Sequence, residues 1–257
     1  MAKSAPSLPW FGPPSVEGNF EGVTHIVLFD VDGTLLENVA PGSNRAQHNS
    51  FRDALRVVWG VEGGLEDLEH AGKTDRWILR DLHTLTNCKL LPVEDAIDKA
   101  AAHMEAYCAS CGFTGDGLSV LPGVVELLEG LKQSGKVVLG LVTGNLQAIA
   151  RGKVRSVGLE SYFSCGGFGS DAEDRAELIR VALGRAAVAH PGLPPASSLR
   201  VFHVGDTPRD LEAAVKAGVE GVGVGTGKFT QAELKAAFPC ATVLGGLCGA
   251  LGVFGVQ

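Results

Sequence analysis

Two carboxylates one residue apart, Asp30 and Asp32, close an apolar run in FDVDGTLL, Phe29–Leu36. Open α/β sheets bind ligands at such strand ends. Asp-Gly between apolar runs is also a strong hairpin signal. Three later segments supply what a bound anion needs. In VTGN, Val142–Asn145, Thr143 offers a hydroxyl, Gly144 an unobstructed backbone N–H and Asn145 a helix N-cap, the makings of an anion site at a helix start. Taken alone, the same residues make an ordinary strand–turn–helix junction. Arg175, in GSDAEDRAELIR, opens a helix and supplies a fixed cation, or a surface charge. In GDTPRD, Gly205–Asp210, Thr207 caps a helix, Pro208 fits its first turn and Asp210 closes a box-like cap. That cap leaves Asp206 unexplained, at a strand end like Asp30.

The elements that must hold these residues are legible as alternating patterns. Runs over Thr24–Phe29, Val137–Val142, Arg200–Val204 and Val219–Val224 are apolar on both faces, as buried parallel strands are. Tyr162–Cys165 suggests a further short strand, and Ala241–Gln257 a last buried strand and docked tail. Helical stripes lie between them. One starts after Pro122 with Leu127, Leu128 and Leu131, one carries Leu178, Ile179 and Leu183, and one follows a capping box at Thr230 and Glu233. The expected fold class is α/β, a Rossmann-like doubly wound parallel sheet. The stretch from Glu37 to Leu121 breaks the alternation. Phe51, Leu55, Val58 and Trp59 fit one apolar face. Trp77, Ile78, Leu82 and Leu85 fit a second, and Val93, Ile97, Ala101, Met104 and Cys108 a third. No strand is expected there. The domains expected are a tail at residues 1–20, a core at 21–36 and 122–257, and an inserted helical domain at 37–121.

Composition narrows the partners. The 257 residues carry 22 Lys+Arg against 29 Asp+Glu, a formal charge of −7, the wrong balance for a duplex-DNA binder. Six cysteines without a secretory leader fit a reducing, cytoplasmic setting, and an organellar role for the proline-rich first residues stays open. The glycine-rich C-terminal stretch falls short of the roughly 20 apolar residues a membrane span needs. GKT at Gly72–Thr74 lacks the first glycine and the strand of a phosphate-binding loop. Cys108 and Cys111 form a lone C-x-x-C on a helical pattern.

The four segments, in this order from about Thr24 to Phe238, resemble the haloacid dehalogenase-like hydrolase superfamily, in its phosphoglycolate-phosphatase-like and β-phosphoglucomutase-like branch. The resemblance implies a Mg²⁺-dependent phosphatase acting on a small phosphorylated molecule, with phosphoglycolate the leading candidate. A phosphomutase is the alternative, and a non-catalytic binding protein would be expected to have lost Asp30, Asp32 or Asp206. By resemblance Asp30 is the nucleophile and Asp32 the acid and base. Mg²⁺ would be held by Asp30, the Asp32 carbonyl and Asp206, with Asp210 on metal-bound water or closing its helix cap. Thr143, Gly144, Asn145 and Arg175 would bind phosphate. The family usually has lysine where Arg175 stands, so Lys153 is the other candidate. The insertion maps to the family's cap, whose GKTD loop, Gly72–Asp75, would offer Lys73, Thr74 and Arg76 to the substrate. Thr74 would equally serve to cap the Trp77 helix.

Overall fold

The computed structural model describes residues 22–39, 44–65, 68–86, 91–113 and 117–256. The tail expected at residues 1–20 lies outside them. In chain order the elements are β1 (His25–Phe29), β2 (Leu36–Asn38), α1 (Arg45–Ala54) running into a π turn (Leu55–Trp59), α2 (Asp75–Thr86), α3 (Val93–Cys111) and β3 (Leu118–Val120). Then come α4 (Val124–Gln133), β4 (Val137–Thr143), α5 (Gln147–Ser156), β5 (Cys165–Phe168), α6 (Arg175–Ala189), β6 (Arg200–Gly205), α7 (Pro208–Ala217), β7 (Glu220–Val224), α8 (Gln231–Ala237) and β8 (Thr242–Leu244).

Six parallel strands lie in the order β5-β4-β1-β6-β7-β8. The chain winds outward from β1 through β4 to β5, then returns to build β6, β7 and β8 on the other side. The winding therefore reverses between β1 and β6, and the crevice at their C-terminal ends is where such sheets take ligands. Phe29 pairs with Leu141 on one side and Val204 on the other, so Asp30 and Asp206 leave neighbouring strands at the same edge. All five residues of β1 are buried. Side chains alternate across it: Val27 and Phe29 join an apolar cluster with α4 and α5, while Ile26 and Leu28 join another with α6. This is the doubly wound α/β fold the apolar runs predict.

The helices between β2 and β3 form their own apolar cluster. Phe51, Trp59, Leu79, Leu82, Ile97 and Met104 pack together, and Leu146 and Ile149 reach them from around the start of α5. Burying a Leu or Phe fully is worth roughly 1.5–3 kcal/mol, so this cluster gives the insertion a core of its own. Two strands do occur in the stretch where none is expected. β2 and β3 pair antiparallel, Leu36 with Val120 and Asn38 with Leu118. Three-residue strands carry too few positions for a period to show. The short strand expected at Tyr162–Cys165 falls instead at Cys165–Phe168, where two glycines blank the apolar pattern. Gly167 is required there, because a Cβ would overlap the Leu178 carbonyl. No helix among the described residues is long and apolar enough to cross a membrane.

Candidate active site

Asp30, Asp206 and Asp210 meet at the ends of β1 and β6, all buried, with one oxygen from each within 4.8 Å of the others. Arg175, the first residue of α6, faces them. Its guanidinium lies 3.3 Å from Asp30 Oδ1 and contacts Asp210. Asp210 is spoken for. Its Oδ2 accepts from the Thr207 N–H (2.9 Å) and hydroxyl (2.6 Å), completing the capping box of α7, and buried His203 lies 3.3 Å from Oδ1. Burial, and after it the Arg175 charge, pushes His203 down to about 3, so it is neutral and donates from Nε2. Asp210 is therefore an anchor for α7 and Arg175. Asp30 Oδ1 and Asp206 Oδ1, in contrast, are buried without a hydrogen-bond partner. Burial first, then the Asp30 charge, pushes the Asp206 carboxyl up to about 7, against the pull of Arg175.

Those orphaned oxygens test whether a metal fits. Two buried carboxylates with unused lone pairs form an all-oxygen donor set of the kind Mg²⁺ takes. Glycines make the room. A Cβ on Gly33 would stand 2.5 Å from Asp206 Oδ2, and one on Gly227 would overlap the same carboxylate. Gly33 also holds φ 78°, a conformation cheap for glycine. The residues fit the ion.

Asp32 belongs to a second, separate network. Lys153 Nζ, wholly buried on α5, lies 2.9 and 2.8 Å from its two oxygens, and Asn145 Nδ2 donates to Oδ2 at 2.6 Å. Burial raises the Asp32 carboxyl, but the Lys153 charge and the bonds from Asn145 and Lys153 outweigh it, and the net direction is down. Both cations considered from the sequence thus reach the site, on different carboxylates. Arg175 serves Asp30, and Lys153 serves Asp32.

The start of α5 departs from expectation. Its N-cap is Leu146, one residue later than Asn145, and Leu146 has no capping side chain. The insertion caps it instead. Leu146 N–H donates to Asp75 Oδ2 at 2.8 Å, and Ala148 N–H to Glu105 Oε1 at 3.2 Å, while Gln147 N–H bonds Ser170 Oγ at 2.8 Å. Protein carboxylates thus take the Leu146 and Ala148 N–H groups at this helix end. Of that segment's groups, Thr143 Oγ1 accepts from Asn145 Nδ2 at 3.0 Å and keeps its own proton to give. Gly144 lets the insertion close in: a Cβ there would stand 2.5 Å from the Lys73 carbonyl.

The three residues of the insertion expected to meet substrate each have a partner within the insertion, and Lys73 also lines the cleft. Lys73 Nζ pairs with Asp81 at 2.7 Å and lies over the Trp77 ring. Arg76 pairs with Asp98 at 2.7 Å. Thr74 is buried and caps α2, accepting from Trp77 N–H at 3.2 Å. The loop's contribution is the next residue, Asp75, whose own N–H donates to Gly144 O at 2.7 Å. Burial pushes its carboxyl up to about 7 against the Leu146 N–H and the Lys153 charge. Gln47 on α1 joins it, donating to Asp75 Oδ1 (2.9 Å) and Asn145 Oδ1 (2.6 Å) and accepting from Lys153 (2.7 Å). In the sequence Asp75 appears only as the last residue of the GKTD loop, with no site role of its own, and nothing marks Gln47. An acidic residue in a helix's first turn reads as ordinary capping.

Between sheet edge and insertion lies a cleft of about 490 Å³. Asp30, Asp32, Thr143, Arg175 and Asp206 line its floor, and Phe51, Leu65, Ile78, His48 and His70 its other side.

Comparisons with known proteins bear on the family and the fold. A family model described as haloacid dehalogenase-like hydrolase matches residues 24–218. A curated relative from Dickeya dadantii (strain 3937), named as the probable phosphatase IndB, is 30% identical over 236 residues, 83% of this chain and 86% of that protein. CbbY from Rhodobacter sphaeroides, solved with phosphate, has the same fold: TM-score 0.58, 21% identity, covering 91% of this chain and 100% of that one. So does a haloacid dehalogenase-like family protein from Streptococcus pneumoniae, at TM-score 0.56 and 21% identity over 91% and 99% of the two chains. The order of the motifs, the site they build and a family match over most of the chain place this protein among the haloacid dehalogenase-like hydrolases.

Proposed function

We propose that the chain is a Mg²⁺-dependent phosphatase that hydrolyses a small phosphomonoester through a phosphorylated Asp30. Asp30 carries the reading: a buried carboxylate oxygen with no hydrogen-bond partner, beside a buried guanidinium at 3.3 Å, on the floor of a cleft. A carboxylate so under-bonded has one oxygen for an ion and a second with which to attack. Asp30 forms the new O–P bond as the bond to the leaving alkoxide breaks. Arg175 faces the charge on the phosphoryl oxygens, which a guanidinium can bind through two N–H groups. The Thr143 hydroxyl donates to the same group. Asp32 gives the alkoxide its proton, then takes one from the water that cleaves the phosphorylated Asp30. General acid–base help of this kind is worth ~10²–10⁴-fold. The Asp30 and Asp206 carboxylates with the Asp32 carbonyl would hold Mg²⁺, which when bound offsets the repulsion between Asp30 and a phosphate dianion. We take the helical insertion as the cap that covers the leaving group.

Phosphoglycolate heads the candidate substrates by family resemblance. The lining favours a broader set, because Lys73 and Lys228 are already paired, with Asp81 and Glu69, and lend little to a second negative charge. The test is a panel of phosphometabolites with Mg²⁺, following free phosphate and isomerised sugar phosphates together. Wild type releases phosphate. Asp30→Asn, or excess chelator, abolishes release, a loss of about 10⁴-fold or more for a removed nucleophile. Full activity of Asp30→Asn ends the proposal, and isomerised product without phosphate release assigns a phosphomutase instead.

A further inference from the structure

Gln47 and Asp75 have no part in the chemistry above, yet both are buried and both come from the insertion; Gln47 bonds Asn145 and Lys153, the groups around Asp32, and Asp75 bonds Gln47. We propose that Asp75, working through Gln47, is a positioning residue that makes the aim of Asp32 depend on docking of the insertion. The inference rests on the phosphatase reading.

The donor and acceptor order of the network argues for it. Lys153 has only hydrogens to give, so Gln47 must turn Oε1 toward it. The Gln47 amide NH₂ then faces acceptors, Asp75 Oδ1 and Asn145 Oδ1. With Asn145 Oδ1 committed to Gln47 and Lys153, its NH₂ is left for Asp32 Oδ2 at 2.6 Å and Thr143 Oγ1. Every amide in the chain has one sense, set by a donor end, Lys153 on the core with Asn44 beside it, and an acceptor end, the Asp75 carboxyl on the insertion. Asp75 also locks the insertion in place, since Oδ2 takes the Leu146 N–H and its own N–H binds Gly144 O. Removing the Asp75 carboxylate takes away one end. Lys153 still sets the sense of both amides, but Gln47 loses the acceptor that ties it to the docked insertion, and Asn145, whose Oδ1 it holds, loses its fixed place beside Asp32. Asp32 loses its aim although no contact of its own has been cut.

The full chain with Mg²⁺ and p-nitrophenyl phosphate tests this. p-Nitrophenolate leaves with little acid help, so phosphorylation of Asp30 tolerates a misdirected Asp32, whereas the following attack by water does not. Asp75→Asn and, separately, Gln47→Leu are expected to show a burst of about one p-nitrophenolate per chain. After it, kcat and KM fall together by about 10- to 100-fold, within the range of a lost acid–base group, and kcat/KM holds. In an Asp32→Asn background neither change has further effect. Exchange of the Leu146 amide hydrogen quickens in Asp75→Asn, a readout of docking that needs no turnover. Wild-type kinetics in both variants, or a fall in kcat/KM without a burst, overturns the inference and leaves the phosphatase reading intact. A wild-type chain that releases no phosphate from any phosphomonoester ends both.

Discussion

The two halves of the site are bonded to opposite degrees. Asp30 Oδ1 and Asp206 Oδ1 are buried without a hydrogen bond, Arg175 reaching the first only as an ion pair at 3.3 Å, and Arg175 Nε is buried and unpartnered as well. Around Asp32, Lys153, Asn145, Gln47 and Asp75 are joined by bonds between 2.6 and 3.3 Å, and Asn44 Nδ2 adds one to Gln47 Oε1 at 2.9 Å. An unsatisfied buried polar group costs about 1–3 kcal/mol, so several in one place are a standing cost to the fold. They make sense where a ligand completes them. The saturated half needs no ligand, and saturation is what holds a proton-transferring carboxylate still. The contrast separates groups that meet the phosphate from groups that aim other groups.

Exchanging the cations is the hardest test of that contrast. Arg175→Ala removes the charge beside the nucleophile and is expected to lower kcat/KM by about 10²–10³-fold, the usual loss for one donor to a developing charge. Its metal-free form is also destabilised, since three buried carboxylates lose their counter-charge, and Mg²⁺ should restore much of the melting temperature. Lys153→Met should act first on the fold. It breaks a pair whose amine is wholly buried, but the Asp32 side chain is 39% exposed, so the cost is about 1–3 kcal/mol rather than that of a fully buried pair. Mg²⁺ should restore little of it. Equal rescue of both variants by Mg²⁺ would mean that the two halves are one.

A smaller effect comes from Asp206, whose carboxyl is pushed up to about 7. A pKa raised in the folded state gives stability that is whole below the ordinary carboxylate range and is lost as pH rises toward 7. In the same window the carboxylate becomes available to a metal, because a ligand must first lose its proton. The melting-temperature rise caused by a fixed Mg²⁺ concentration should therefore be larger at pH 7.5 than at pH 5.5. Below 7 the half-saturating Mg²⁺ should climb by up to about tenfold per pH unit for one displaced proton. A rise in melting temperature independent of pH would remove Asp206 from the metal set.

Site residues of both halves are readable in the sequence, Asp32, Asn145 and Lys153 among them, but the bonds that tie the second half together are not. Asp30 and Asp206 stand at the ends of strands whose apolar runs are unmistakable, and parallel pairing with β1 on β6 brings them together without further information. Arg175 opens a helix, where alone it reads as a fixed cation or a surface charge, and the other segments give it its place. Gln47, Asp75 and Lys153 lie on three different helices and meet only because the insertion folds back on α5; Gln47 and Lys153 are 106 residues apart. Their local patterns are those of any polar helix positions. Asn145 shows the same limit at short range. Its type suits an N-cap, but Asp75 supplies the anion for that helix end, and the Asn145 side chain turns to Asp32 instead. Long-range polar pairing has no period, so a single sequence does not display it.

The smallest expected effects lie in the insertion loop, and they sharpen the same division. Lys73 and Arg76 are the side chains there whose charges suggest contact with a phosphorylated substrate. Both are bound within the insertion, Lys73 to Asp81 and Arg76 to Asp98. Partly exposed pairs of this kind contribute about 0–1 kcal/mol to stability. Lys73→Ala and Arg76→Ala should therefore leave KM within about twofold of wild type across the substrate panel, and melting temperature within a few degrees. Asp75→Asn, one or two residues away on the same loop, should alter kcat and KM far more. A tenfold rise in KM for Lys73→Ala with an anionic leaving group, absent with a neutral one, would show that Lys73 leaves Asp81 when substrate binds. The loop would then read the leaving group as well as aim Asp32.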